Sequence, residues 1–173
     1  LGLCNVATIR AGNAYGRRDL GHMRRGAHVV IAMSLAMAIA TMVLFMTWPE
    51  VLISIFVDAE QTARDEVVAI GVVLLALAAL FQLVDGAQVV ALGLLRGVHD
   101  TKIPMVLAAV SYWGIGMPAS YILGFVVGWN GVGVWLGLVL GLAFAGFALM
   151  IRFWRVILPK LSKEDAARAV PAK

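Results

Sequence analysis

The chain is 173 residues long, 62% apolar and 14% charged, with a net charge of +4. A water-soluble domain averages about 45–50% apolar and about 25% charged residues, so this composition excludes an ordinary soluble globule and fits a chain whose surface faces lipid. In a soluble protein the basic balance would point to nucleic acid, but here the charges flank apolar runs, so they read as membrane topology and nucleic acid is not an expected partner.

The chain opens on an apolar stretch, Leu1 to Ile9, with no basic residue before it. It is too short to span a bilayer and lacks the pattern of a signal peptide, so it is expected to be the cut end of a longer helix and the chain a fragment. Cys4 is the single cysteine, which leaves no internal disulfide and no cysteine metal cluster and is expected to be a small buried apolar residue. Four stretches are long and apolar enough to cross: about His28 to Pro49, Val67 to Leu95, Ile103 to Val127, and Val132 to Phe153. Strict alternation is absent and the runs are about twice the length of a barrel strand, so an all-α membrane protein is expected. The expected organisation is 1–27, a helix end and basic loop; 28–157, four transmembrane helices; and 158–173, a tail.

Basic residues are divided unevenly among the connections. Arg10, Arg17, Arg18, Arg24 and Arg25 precede the first span; Arg96 and Lys102 lie between the second and third; Arg152, Arg155, Lys160, Lys163, Arg168 and Lys173 follow the fourth. The connection Val57 to Glu66 has Arg64 alone, among four acids. Four crossings therefore put 13 of the 14 basic residues on one side, which the positive-inside rule makes cytoplasmic. Trp48 and Trp129 at one set of helix ends and Trp154 at the other fit interfacial anchors, whereas Trp113 is expected to pack. The histidines His22, His28 and His99 fall near the basic side, lack metal-ligand spacing and are expected to be solvated, as are Glu50 and Asp58 at the outer surface.

Small residues recur every four positions at Gly133, Gly137, Gly141 and Ala145, and again at Ala32, Ala36 and Ala40, the spacing at which membrane helices approach closely. Pro118, with Gly114 and Gly116 nearby, is expected to kink the third span.

Asp85 departs from the pattern. It is eleven residues from Arg96, about 16 Å of helical rise, and eighteen from Val67, about 27 Å, which sets it inside the hydrocarbon. An acid at that depth costs a few kcal/mol and must face protein or water. Gln82 and Gln88 lie three residues to either side and are expected to share its face. Tyr112 on the third span is a candidate cavity-lining group, beside Ser111, Ser120 and Tyr121; Ser34 and Thr41 are expected to bond back to their own helix. No catalytic triad, P-loop, zinc signature or dinucleotide fingerprint is present, so an enzyme is not expected.

Three stretches resemble the multidrug and toxic compound extrusion (MATE) family, its NorM-like branch in particular. They are Ala7 to Gly16; Phe81 to Val90, continued by Gly93 to Pro104; and Tyr112 to Pro118, followed by Gly131 to Gly137. The resemblance implies the end of the eighth helix through the twelfth of a twelve-helix transporter built from two six-helix lobes, in a cell (inner) membrane with a cytoplasmic C-terminus. It further implies export of cationic amphiphilic compounds in exchange for Na+ or H+, with no other cofactor. Asp85 matches the tenth-helix acid of the family's cation site and would ligate the metal if Na+ is the coupling ion. Gln82 and Gln88 are its plausible neighbours. The first lobe and the family's other cation-site acids belong to segments before Leu1, so the chain alone is not expected to transport. Two other readings stand beside this one. A lipid-linked sugar flippase is disfavoured by the lack of mid-membrane Lys or Arg, and a non-transporting membrane scaffold would leave Asp85 unexplained.

Overall fold

A computed structural model describes residues 2–55 and 64–169. All elements among them are helical. In chain order they are α1 (Gly2–Gly16), α2 (Leu20–Thr47), the short α3 (Pro49–Ser54), α4 (Arg64–Gly97), α5 (Lys102–Val126) and α6 (Asn130–Ile151), which passes through π-helical turns at Arg152–Ile157 into α7 (Leu158–Ala169). Four helical stretches are long and apolar enough to cross a membrane: Leu20–Thr47, Val67–Gly97, Lys102–Val126 and Asn130–Ala167. The expected spans are therefore present. They overrun their apolar cores because a helix does not stop where the hydrocarbon stops. The expected boundaries after residues 27 and 157 both fall inside continuous helix. The connection Val57 to Glu66, with Asp58, lies outside the described residues except for the start of α4.

The helix ends are set by local chemistry. After α1 the Arg18 N–H donates to the Tyr15 carbonyl and the Asp19 N–H to that of Ala14, with Arg18 at φ 55°. After α4 the same pair of bonds recurs, His99 to Arg96 and Asp100 to Leu95, with His99 at φ 61°. Both are Schellman stops that place a non-glycine residue in the left-handed region. Asp19 then caps α2 by accepting the His22 N–H at 2.8 Å. Pro49 opens α3 after the break at Trp48, and Gly128 at φ 82° with Asn130 at φ 48° turns α5 into α6.

α4 is the central helix, packed against α1, α2 and α6, while α5 packs almost wholly on α6. The main core joins Ala7, Ala11 and Ala14 of α1, Met23, Ala27 and Val30 of α2, Val90, Leu94 and Leu95 of α4, Leu149 of α6, Phe153 of the π-helical turns and Leu158 of α7. It lies towards the Arg-rich end of the bundle. Many other large apolar side chains face outward, Met37, Trp113, Phe125 and Phe147 among them, as lipid contact requires. Lipid tails are as apolar as leucine, so the helices are held by close packing more than by hydrophobic burial.

The small-residue stripe of α6 is a contact stripe. A Cβ at Gly133 would stand 2.3 Å from the Leu123 carbonyl oxygen, at Gly137 2.2 Å from the Ser120 nitrogen, and at Gly141 2.7 Å from the Gly116 Cα. The Ser120 hydroxyl adds a bond to the Val134 carbonyl at 3.0 Å. The α2 stripe is different. Ala32, Ala36 and Ala40 are exposed, and the helix buries Met23, Ala27, Val30, Ser34 and Ala38 instead. An alanine period alone does not say which face turns inward. A second close contact is built on another pair of glycines four residues apart: Gly93 and Gly97 of α4 receive α1, and the Thr8 hydroxyl donates to the carbonyls of Cys4 at 3.0 Å and Gly93 at 3.1 Å. Cys4 is buried in this contact.

Around Pro118, expected to kink the third span, the helix is distorted locally. α5 changes register, with π-helical turns at Val110–Gly116 and Ile122–Val126 on either side of the α-helical turn Met117–Tyr121. The Met117 N–H reaches back five residues to the Tyr112 carbonyl. Widened turns accommodate the proline ring and its missing N–H without breaking the rod. Trp113, expected to pack, is 72% exposed, because Ser111 two residues earlier takes the α6-facing side.

Candidate functional site

Asp85 sits past the middle of α4, half-buried, where it lines a cavity of about 370 Å³ between α1, α2 and α4. The cavity wall includes Gln82 and Gly86 of α4, Ser34 and Met37 of α2, and Leu3 of α1. The position follows from the helix repeat: Gln82 and Asp85 are three residues apart and lie on neighbouring rows. Gly86 is what lets α2 come this near, since a Cβ there would stand 3.0 Å from the Ser34 Oγ. Asp85, Gln82 and Ser34 thus bring a carboxylate, an amide oxygen and a hydroxyl to one cavity. Among the described residues, no Lys, Arg or His makes an ion pair with Asp85. Hard oxygen donors around one carboxylate suit a proton or a hard monovalent cation better than a soft metal. Among the described residues no group of three or more His, Cys, Asp and Glu is placed to hold a metal ion.

Gln88 does not join this cavity. Six residues from Gln82, it is turned about 120° around the helix and is buried against α6, beside Gly146. Its Nε2 donates to the Tyr112 hydroxyl on α5. Tyr112 borders a second, largely apolar cavity of about 420 Å³ lined by Phe81, Trp113, Met117, Leu138 and Gly141. The four candidate residues therefore divide into two pairs on adjacent sides of α4: Asp85 with Gln82, and Gln88 with Tyr112. Phe81 and Trp135, edge to face at 5.7 Å, close the space between α4 and α6.

Ser34 is the cavity residue that sequence reasoning missed. Thr41 does bond back to its own helix, at the Met37 carbonyl, but the Ser34 hydroxyl makes no such bond and looks into the Asp85 cavity. The signal was present in the spacing Val30, Ser34, Ala38, a buried stripe at helical period. The three histidines are exposed, as expected, although two touch aromatic rings: His28 against Trp154 at 4.7 Å and His99 against Tyr15 at 5.9 Å. Ser111 is fully buried and bonds to the Leu107 carbonyl, whereas Tyr121 is exposed, so neither lines the Asp85 cavity.

Comparison with known proteins agrees with this architecture. The MatE family profile matches residues 1–122. The chain is 43% identical over 167 residues to a probable multidrug resistance protein NorM of Brucella suis biovar 1 (strain 1330), covering 96% of this chain and 35% of that protein. It is 41% identical over 155 residues to a protein of the same description from Mesorhizobium japonicum, covering 90% of this chain and 33% of the relative. The chain thus spans about a third of the length of these relatives. Among solved structures, it superposes on an inward-facing multidrug resistance MATE family transporter of the MOP superfamily with a TM-score of 0.78 at 17% identity, covering 94% of this chain and 36% of that one. The eukaryotic MATE transporter AtDTX14 gives 0.74 at 18% identity, with 97% and 36% covered. At those identities the superpositions establish the fold alone. With a family profile over most of its length, close sequence relatives and the matching helical arrangement, the chain belongs to the MATE family, a family of multi-pass membrane transporters and not of enzymes.

Proposed function

We propose that this chain forms the Asp85-bearing part of the C-terminal lobe of a secondary active antiporter that exports cationic, amphiphilic compounds in exchange for Na+ or H+. The observation that carries the reading is the Asp85 carboxylate, inside a predicted span, in a cavity that Gln82 and Ser34 also line and, among the described residues, without a basic partner. A carboxylate so placed is stabilised when a proton or a metal cation neutralises it. The relatives described as multidrug resistance proteins support drugs as the exported compounds, and a negative charge at Asp85 favours cationic ones.

The mechanism follows from linkage. A coupling ion on Asp85 removes its charge and favours one arrangement of the helices around it. A cationic compound is held best when that charge is present. The two therefore bind with negative coupling, and thermodynamics makes the coupling reciprocal. An inward ion gradient then drives the compound outward. Alternating access of this kind needs a second lobe to rock against the site, and the missing N-terminal lobe of the same protein is its proposed partner.

The charge count supports the orientation. With the Arg-rich helix ends in the cytoplasm, the C-terminal tail is cytoplasmic, residues 28–157 contain the membrane part, and the protein sits in the cell (inner) membrane. The test is Asp85→Asn in the full-length transporter, scored for resistance to cationic dyes and for protein level in the membrane. The expected result is normal insertion with resistance lost or no longer dependent on the ion gradient. Unchanged resistance with unchanged ion dependence contradicts the assignment.

A further inference from the structure

Arg10 is a basic residue lodged between α1 and α2 at the Arg-rich end. It lies on α1, half-buried, with its Nε 3.6 Å and its Cβ 3.9 Å from where a Cβ at Gly26 of α2 would stand. Gly26 is buried, and a Cβ there would stand in ordinary contact with the arginine, so a side chain as long as leucine would crowd it. The level is the membrane interface. Gly26 is two residues, about 3 Å of rise, from His28, which begins the apolar run of α2 and stacks on the interfacial Trp154.

Arg10 also has no internal counter-charge among the described residues: no carboxylate there lies within ion-pair distance of it. The acids at that end are otherwise placed: Asp19 caps α2, Asp100 holds Arg152, Glu164 faces Lys160 at 4.0 Å, and Asp165 lines a separate cleft beside the α1–α2 turn. The neighbouring Arg25 is different, exposed and with its Nε 3.4 Å from the Gly21 carbonyl oxygen, turned towards the surface. A guanidinium held between α1 and α2 at headgroup depth, with no carboxylate partner among the described residues, suits a phosphate.

We propose that the α1–α2 seam at Arg10 and Gly26 is a binding site for the phosphate of an anionic phospholipid, with exposed Arg24 and Arg25 adding long-range attraction. The proposal rests on the membrane fold and not on the coupling mechanism.

The test uses the purified full-length transporter in neutral detergent, with lipid binding read by native mass spectrometry. The probes are phosphatidylglycerol, phosphatidylcholine and inorganic phosphate. The wild type is expected to retain phosphatidylglycerol over phosphatidylcholine. Arg10→Gln should weaken phosphatidylglycerol retention about fivefold, Arg10→Lys less, and Arg25→Gln only slightly. Gly26→Leu, which crowds the arginine and keeps the charge, should weaken it as Arg10→Gln does. Equal retention of the two lipids by the wild type overturns the proposal without any variant. So does unchanged retention in Arg10→Gln, or full displacement of the lipid by inorganic phosphate, which would make this a free-anion site.

Discussion

Asp19 and Asp100 show how single carboxylates set this fold at its Arg-rich end. The backbone N–H of His22, the Asp19 carboxylate's main partner, holds that group below its ordinary value of 3.8, opposed by desolvation and helped by the nearby charges of His22, Arg25 and Arg17. A lowered folded-state pKa means stability that is present above the unfolded value and lost as the pH falls through the folded one. The start of α2 should therefore fray below about pH 3.8. Amide exchange at His22 should accelerate there beyond its intrinsic pH dependence, and Asp19→Asn, which keeps an accepting oxygen, should remove that pH-dependent component. A pH-independent protection factor in the wild type would contradict the cap's role.

Asp100 is held by two bonds from Arg152, at 2.6 and 3.2 Å, and the two side chains are only 14% and 18% exposed. The left-handed turn at His99 delivers the carboxylate there, tying the α4–α5 connection to the first π-helical turn beyond α6. A double-mutant cycle with Asp100→Asn and Arg152→Gln should give a coupling energy of about 1.5–3 kcal/mol in detergent unfolding. Strict additivity would show the pair to be incidental. Nothing in the sequence announces this pair, since its members are 52 positions apart and each sits in an ordinary-looking charged connection. Asp85, by contrast, was legible because an acid in an apolar run has few innocent explanations. Its partner Ser34 was not, because a hydroxyl in a membrane helix is commonplace and only the other helix reveals which way it points.

At the scale of elements, the four-residue glycine period of α6 sets how closely α5 packs on it. Gly137 meets the Ser120 backbone so closely that a single methyl has nowhere to go. Gly137→Ala should destabilise the lobe by about 1–3 kcal/mol, whereas Gly131→Ala, with nothing within 4 Å, should be neutral. Thermal unfolding of the full-length protein measures both, and equal effects would mean that α5 and α6 are not in contact as described. The spans themselves were readable from hydropathy because length and apolar content are one-dimensional properties. The π-helical turns around Pro118 were not, because several local distortions can relieve the same proline and tertiary packing chooses among them. The alanine stripe of α2 failed for a related reason: periodicity gives a face, and only the neighbours decide whether it turns to protein or to lipid.

For the whole molecule, α4 is the organising element. One side carries Asp85 and Gln82 into the cavity with Ser34, and the adjacent side carries Gln88 to Tyr112 on α5. The same helix is packed through Gly93 and Gly97 against α1 and continues into the loop that Arg152 holds. A change of charge at Asp85 is thus made on a helix that touches α1, α2 and α6 directly. That arrangement suits a site whose occupancy must alter the packing of a lobe. The reading depends on one exchangeable negative charge being shared, in turn, by a coupling ion and a cationic compound.

The most direct measurement is equilibrium binding of a cationic fluorescent dye to the purified full-length transporter, titrated at several Na+ concentrations and several pH values. The account predicts that raising Na+ or lowering pH weakens dye binding to the wild type, and that Asp85→Asn binds the dye weakly and without that dependence. Dye affinity in the wild type that ignores both ions, or an Asp85→Asn protein that keeps the wild-type ion dependence, would contradict it.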